Sequence, residues 1–152
     1  MQRIASFEVD HRYITEGIYI SRIDGDITTY DLRTRKPNTD SFMDNGTMHT
    51  FEHLFATYIR NSSIGGRVIY FGPMGCATGF YLLVRNSNDN ETLNAVLEVL
   101  KQIINHKGEV FGNSEIECGN YKTLCLEKAV NEAKHYFDIL SNKENDFKYP
   151  LK

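Results

Sequence analysis

Tyr13-Ile14-Thr15-Glu16-Gly17-Ile18-Tyr19-Ile20-Ser21-Arg22-Ile23-Asp24-Gly25-Asp26-Ile27-Thr28-Thr29-Tyr30-Asp31-Leu32-Arg33 decides the fold class. Two runs rich in Ile, Tyr and Thr, Tyr13 to Ile23 and Ile27 to Arg33, flank Asp24-Gly25, a dipeptide suited to a tight turn between antiparallel strands. Downstream, Arg67 to Phe71 reads as a short strand, Gly72-Pro73-Met74-Gly75-Cys76 as a glycine-rich turn, and Gly79 to Val84 as a further strand. Three stretches carry helical periodicity: about Thr47 to Asn61, Glu91 to His106, and Leu126 to Leu140. Arg35 to Gly46 reads as an irregular loop, Gly108 to Asn113 as a loop or short edge strand, and the polar tail after Ser141 as a segment that frays. The expectation is α+β: a mainly antiparallel sheet covered by α-helices, with residues 1–152 as one domain.

Composition narrows function. The chain has 152 residues, is 41% hydrophobic and 24% charged, and carries a formal net charge of −3 without a block of like charge. That balance speaks against a nucleic-acid surface or a basic membrane patch. No apolar run approaches the ~20 residues of a membrane span, and Met1 to Arg12 lacks a signal-peptide core, so a cytoplasmic location is expected. In a reducing compartment three cysteines, Cys76, Cys118 and Cys125, suit thiol chemistry or metal ligation better than disulfides.

The first predicted helix carries His49-Thr50-Phe51-Glu52-His53. At ~100° per residue, His49 and His53 lie roughly 40° apart around the axis with Glu52 beside them. Two imidazoles at i, i+4 can grip one zinc or ferrous ion, and the adjacent carboxylate can move protons there. The order H-x-x-E-H is that of the inverzincin zinc peptidases, which use the glutamate to activate water. A catalytic centre needs a third protein ligand, and Cys118, before Gly119 in a polar turn, is the strongest candidate. Packing alone is the alternative for each piece: a histidine on an apolar helix can be a core residue, and so can Cys118. Cys76, between Gly75 and Gly79, is either a small core cysteine or a thiol facing a ligand, where a nearby cation would make it a usable general base. Cys125 reads as a core residue of the last helix. His106 and His135 receive no role.

Several separated motifs, in order, resemble the S-ribosylhomocysteine lyase (LuxS) family. They are Ser6-Phe7-Glu8-Val9-Asp10-His11, Asp31-Leu32-Arg33, Lys36-Pro37-Asn38, His49-Thr50-Phe51-Glu52-His53-Leu54, Pro73-Met74-Gly75-Cys76-Ala77-Thr78-Gly79-Phe80-Tyr81 and Cys118-Gly119-Asn120-Tyr121. The resemblance implies that His49, His53 and Cys118 hold the metal, natively Fe2+ with Zn2+ or Co2+ able to substitute. It implies Glu52 and Cys76 as the acid–base pair and Ser6, His11 and Arg33 as substrate contacts. It further implies a homodimer whose active sites lie at the interface. The reaction so implied cleaves S-ribosylhomocysteine to homocysteine and 4,5-dihydroxy-2,3-pentanedione, the autoinducer-2 precursor of quorum sensing, and serves the activated methyl cycle. Two departures stand out: Tyr70 and Leu124 occupy positions where members commonly have Asp and His. Against this stand a zinc peptidase and a non-catalytic metal-binding or thiol-sensing protein, the two alternatives that Cys76→Ala and Glu52→Gln separate from the lyase.

Overall fold

A computed structural model describes residues 1–151. Its core is a four-stranded antiparallel sheet in the order β1-β2-β4-β3, with β1 Gly17–Asp24, β2 Ile27–Arg33, β3 Val68–Pro73 and β4 Gly79–Arg85. The α+β architecture expected from the hairpin and the three helical stretches is the one observed. In the β1–β2 hairpin Asp24 pairs with Ile27, and Gly25 takes φ +60°, the positive φ that a two-residue turn needs at its first central position. β1 begins four residues later than the hydrophobic run, at Gly17 rather than Tyr13. Both edge strands carry a register shift, between Ile20 and Arg22 in β1 and between Val68 and Tyr70 in β3.

Alternation along the strands gives the sheet two different faces. Ile18, Tyr30, Leu32, Phe71, Phe80, Leu82 and Val84 turn inward, into the core cluster shared with the helices. These helices are α1 Asn45–Arg60, α2 Asp89–Ile104 and α3 Leu126–Ser141. Four phenylalanines pin α1 to the sheet: ring centroids lie 4.7 Å apart for Phe51–Phe80, 4.2 Å for Phe55–Phe71 and 5.1 Å for Phe71–Phe80. Burying each such side chain is worth about 1.5–3 kcal/mol, so the helix that bears the histidine pair is fixed by its opposite face. The outer face of the sheet carries Tyr19, Asp31, Arg33 and Tyr81, which lie in adjacent register positions across β1, β2 and β4.

Local chemistry moved several boundaries. Asp44 caps α1 by accepting from the Thr47 N–H at 2.8 Å, so the helix starts at Asn45 and includes Gly46, two residues before the expected Thr47. Asn88 does the same for α2, which starts at Asp89 rather than Glu91. Gly72 and Pro73 end β3, and the turn proper is Met74 to Thr78, closed by the Met74 N–H on the Gly79 carbonyl at 2.9 Å. Residues 108–113 form no strand; they make a loop with Gly108 and Gly112 at positive φ. The polar tail does not fray: Phe147 is buried in the core, and the Ile20 N–H of edge strand β1 donates to its carbonyl at 2.8 Å.

Candidate metal centre and thiol cluster

His49 and His53 occupy successive turns of α1, their rings 4.6 Å apart and nearly perpendicular. The segment after residue 113 folds back over this face, and the Cys118 thiol reaches 3.3 Å from His49 Nε2. One potential ligand atom from each of His49, His53 and Cys118 lies within 4.8 Å of the other two, and all three side chains are half-buried. The helix and the cysteine turn thus bring together the three residues expected to hold a metal.

The surroundings select the imidazole tautomers. The Thr123 hydroxyl sits 2.6 Å from His49 Nδ1 and 3.1 Å from the Asn120 carbonyl, so it can accept from the ring while donating to that carbonyl. In that arrangement Nδ1 carries the hydrogen and the Nε2 lone pair is left toward Cys118. His53 Nδ1 lies 2.7 Å from the Phe111 carbonyl, which can only accept, so its Nε2 is likewise left free. Such outer partners commonly orient metal-bound histidines. Burial, and then the neighbouring His53, hold His49 below the ordinary imidazole value, favouring the neutral ligand form. Two imidazole nitrogens and one thiolate suit zinc, ferrous iron or cobalt.

Two glycines allow loops to come this close. A methyl on Gly46 would stand 3.1 Å from the Thr123 carbonyl, one helical turn before His49. Gly112 has φ +71°, and a methyl there would stand 3.0 Å from His53 Nδ1. His106 anchors the same loop, with Nε2 donating to the Glu109 carbonyl at 2.8 Å and Nδ1 2.7 Å from the Tyr58 hydroxyl. Tyr58, His106 and Phe111 form a mutually edge-on aromatic trio. His106, assigned no role from sequence, thus frames the loop that orients His53.

Glu52 is half-buried beside the histidine pair, and burial holds its carboxyl above the usual carboxylate range, against the opposing effect of His53. This shift makes it a better proton acceptor than an exposed glutamate.

A second cluster gathers on the outer face of the sheet. Ser6 (in a short 3-10 turn, Ala5–Phe7), His11, Arg33, Cys76 and Tyr81 line one cavity. The side chains of His49, Glu52, His53 and Cys118 do not line it. Cys76 is exposed, whereas Arg33 is only 2% exposed and its partner Asp31 is fully buried. Asp31 grips Arg33 with both oxygens, at 2.6 Å and 3.1 Å. The remaining Arg33 nitrogen donates to the Thr78 hydroxyl at 2.8 Å and lies 3.9 Å from Cys76 Sγ. The Thr78 hydroxyl is 3.0 Å from the same sulfur. Burial works against the charge on Arg33, but Asp31 overcomes it and the guanidinium stays firmly protonated. The turn that presents Cys76 relies on positive φ at Ala77 (61°) rather than at Gly75, and the Met43 N–H donates to the Ala77 carbonyl at 2.9 Å. His11 Nδ1 bonds to the Val9 carbonyl at 2.9 Å, leaving its other nitrogen toward the cavity residues.

Several members of these clusters were not singled out from sequence. Asp31 and Thr78 stand two residues from Arg33 and Cys76, and the i, i+2 spacing of Asp31 and Arg33 in a strand was a readable sign that they share a face. Thr123, the Phe111 carbonyl and Gly112 lie in irregular loops, where spacing carries no such signal. Cys125 precedes α3 as its N-cap residue; its N–H donates to the Thr50 hydroxyl at 2.8 Å. Among the described residues no helix is long and apolar enough to cross a membrane.

The family model described as S-Ribosylhomocysteinase (LuxS) matches residues 4–147. The chain is 40% identical over 157 residues to the S-ribosylhomocysteine lyase of Borreliella afzelii (strain PKo), covering 99% of this chain and all of that protein. It is 41% identical over 157 residues to the protein of that name from Clostridium acetobutylicum and 39% over 158 residues to the one from Desulfotalea psychrophila, each at 99% coverage of both chains. With both clusters inside the matched span, the chain belongs to the S-ribosylhomocysteinase (LuxS) family.

Proposed function

We propose that this protein is a metal-dependent S-ribosylhomocysteine lyase of the cytoplasm, working as a homodimer. The observation that carries the reading is the convergence of two imidazoles and one thiol within 4.8 Å, in a chain of this family. His49, His53 and Cys118 would hold the metal, Fe2+ with Zn2+ or Co2+ as substitutes. When bound, the metal supplies Lewis acidity that offsets negative charge on the sugar oxygens as the carbonyl migrates. Family membership weighs against the peptidase reading of H-x-x-E-H.

The chain's own residues then move protons. In the open-chain sugar the carbonyl must travel from carbon 1 to carbon 2 and on to carbon 3, each shift taking a proton from one carbon and returning it to its neighbour. Cys76 as thiolate, beside the permanently charged Arg33, takes the carbon-bound protons. Glu52, its carboxyl raised by burial, exchanges protons with the sugar oxygens. With the ketone at carbon 3, loss of the carbon-4 proton forms the carbon 4–carbon 5 double bond and breaks the carbon–sulfur bond. Homocysteine leaves as the thiolate and is protonated. The remaining enol tautomerises to 4,5-dihydroxy-2,3-pentanedione. Ser6, His11 and Arg33 bind the substrate.

The cavity of Ser6, His11, Arg33 and Cys76 lacks the metal trio and Glu52. This supports a site completed across the dimer, one protomer's thiol cluster meeting its partner's metal trio. Thiol release from S-ribosylhomocysteine, with protein loaded anaerobically with ferrous iron or cobalt, tests the whole reading. Wild type should release homocysteine; Cys76→Ala and Glu52→Gln should keep the metal but lose turnover, and His49→Ala should lose both. Mixing inactive His49→Ala with inactive Cys76→Ala should restore about a quarter of wild-type activity, since half the randomly paired dimers would then hold one intact site of two. A mixture without activity would refute the shared site, and full turnover by Glu52→Gln would remove that residue from the chemistry.

A further inference from the structure

The tail beyond α3 straddles edge strand β1, with one aromatic ring on each side of the sheet. Phe147 takes φ +61°, a conformation that is costly for a bulky residue. It sends its ring into the core, edge-on to Tyr30 with centroids 6.4 Å apart. Two residues later Tyr149 lies on the outer face, stacked on Tyr19 at 4.9 Å and 23°. Its hydroxyl donates to Asp31 Oδ2 at 2.8 Å. Burial, and then Asp31, hold the Tyr149 phenol well above its ordinary value, so it remains a donor at any working pH.

That bond ends a connected series. Tyr149 donates to Asp31, Asp31 grips Arg33, and Arg33 reaches both Thr78 and the Cys76 sulfur. A buried ion pair holds one geometry only when its remaining oxygen lone pairs are also satisfied, and Tyr149 supplies a donor to Asp31 from outside the strand. We propose that Tyr149 is a positioning residue for Cys76, acting through Asp31 and Arg33. The inference rests on the role given to Cys76 above and adds a residue two positions beyond the end of the family-model match at 147. Without the hydroxyl, Asp31 Oδ2 keeps its bond to Arg33 but has an unsatisfied lone pair with which to draw the guanidinium closer to itself, and the thiolate loses part of the cation that steadies it.

The test uses the intact chain and needs no substrate. Iodoacetamide alkylation of Cys76 is followed by mass spectrometry of the Cys76 peptide as a function of pH, with Cys125 as internal reference. Tyr149→Phe keeps the ring on Tyr19 and removes only the hydroxyl; Tyr149→Ala removes both. In Tyr149→Phe the Cys76 rate at neutral pH should fall by about fivefold, a fraction of what a hydrogen bond to a charged group is worth. Its pH profile should move to higher pH while the Cys125 rate and the melting temperature hold. In a thiol-release assay the same variant should lower kcat with little change in KM. Wild-type Cys76 rates in both variants would overturn the proposal, as would a change in Cys76 and Cys125 together, which marks general loosening. A protein that alkylates as expected but never releases homocysteine would refute the lyase reading and leave Tyr149's role standing.

Discussion

Gly112→Ala puts the orientation of His53 to a direct test. At φ +71° an alanine costs about 1–2 kcal/mol over glycine. Its methyl would also stand 3.0 Å from His53 Nδ1 and 3.2 Å from Cε1, so the loop must retreat or the ring must turn. Either movement opens the 2.7 Å bond to the Phe111 carbonyl. Loss of such an outer partner costs about 10–100-fold in metal affinity, or roughly 1.4–2.8 kcal/mol. Gly108→Ala is the matched control: φ is +93°, so the backbone penalty is similar, but its methyl would meet nothing within 4 Å. Zinc affinity of the apo-protein, read by competition with a coloured chelator, should fall at least tenfold for Gly112→Ala and change by less than about twofold for Gly108→Ala. Both variants should melt lower by similar amounts. Equal affinities in the two variants would refute the argument, because the strain would then matter and the contact with His53 would not.

Thr123→Val removes the hydroxyl 2.6 Å from His49 Nδ1 and should weaken metal binding by about tenfold, while Thr123→Ser should restore it in the same competition assay. Asp44→Ala removes the α1 cap and should cost about 1 kcal/mol, roughly 2–4 °C of melting temperature. Lys128, followed by Thr47, holds the Asp44 carboxyl at about 2 in the folded protein, below its ordinary 3.8. The folded state therefore favours the charged form, and the charge-dependent part of the stability gap should persist above pH ~3.8 and shrink as acid approaches pH ~2. Thermal scans of both proteins across that range check the sign. Phe147→Ala should destabilise the protein by about 3 kcal/mol, because the ring is buried in the core; urea titration measures it.

Features written in local periodicity were readable in advance. The hairpin around Asp24-Gly25, the i, i+4 histidine pair and the three amphipathic helices each depend on residues close in the chain. Loops defeated the same logic. Nothing in the spacing from His49 to Thr123 announces that a hydroxyl 74 residues away hydrogen-bonds the imidazole. Phe111 acts through its carbonyl, which every residue type possesses, so its identity carried no signal. The tail misled for another reason: the sequence after Ser141 is polar on average, yet two aromatic rings two residues apart, Phe147 and Tyr149, are enough to dock the segment that bears them. Helix starts erred in one direction, late by two residues in α1 and α2, because Asp44 and Asn88 recruit residues that have no apolar periodicity of their own.

The two ends of the sheet have a consequence for how copies of this chain can meet. An exposed edge strand offers unpaired N–H and C=O groups to any passing strand. Here β1 is occupied at Ile20 by the tail, and at the opposite margin the Arg60 guanidinium holds the Val68 and Ile69 carbonyls of β3 at 3.4 Å and 3.1 Å. The register shifts in both margins twist them further out of alignment for a newcomer. Both margins therefore have part of their pairing capacity already occupied. A second strand could pair with either margin only after displacing the tail from Ile20 or the Arg60 side chain from Val68 and Ile69.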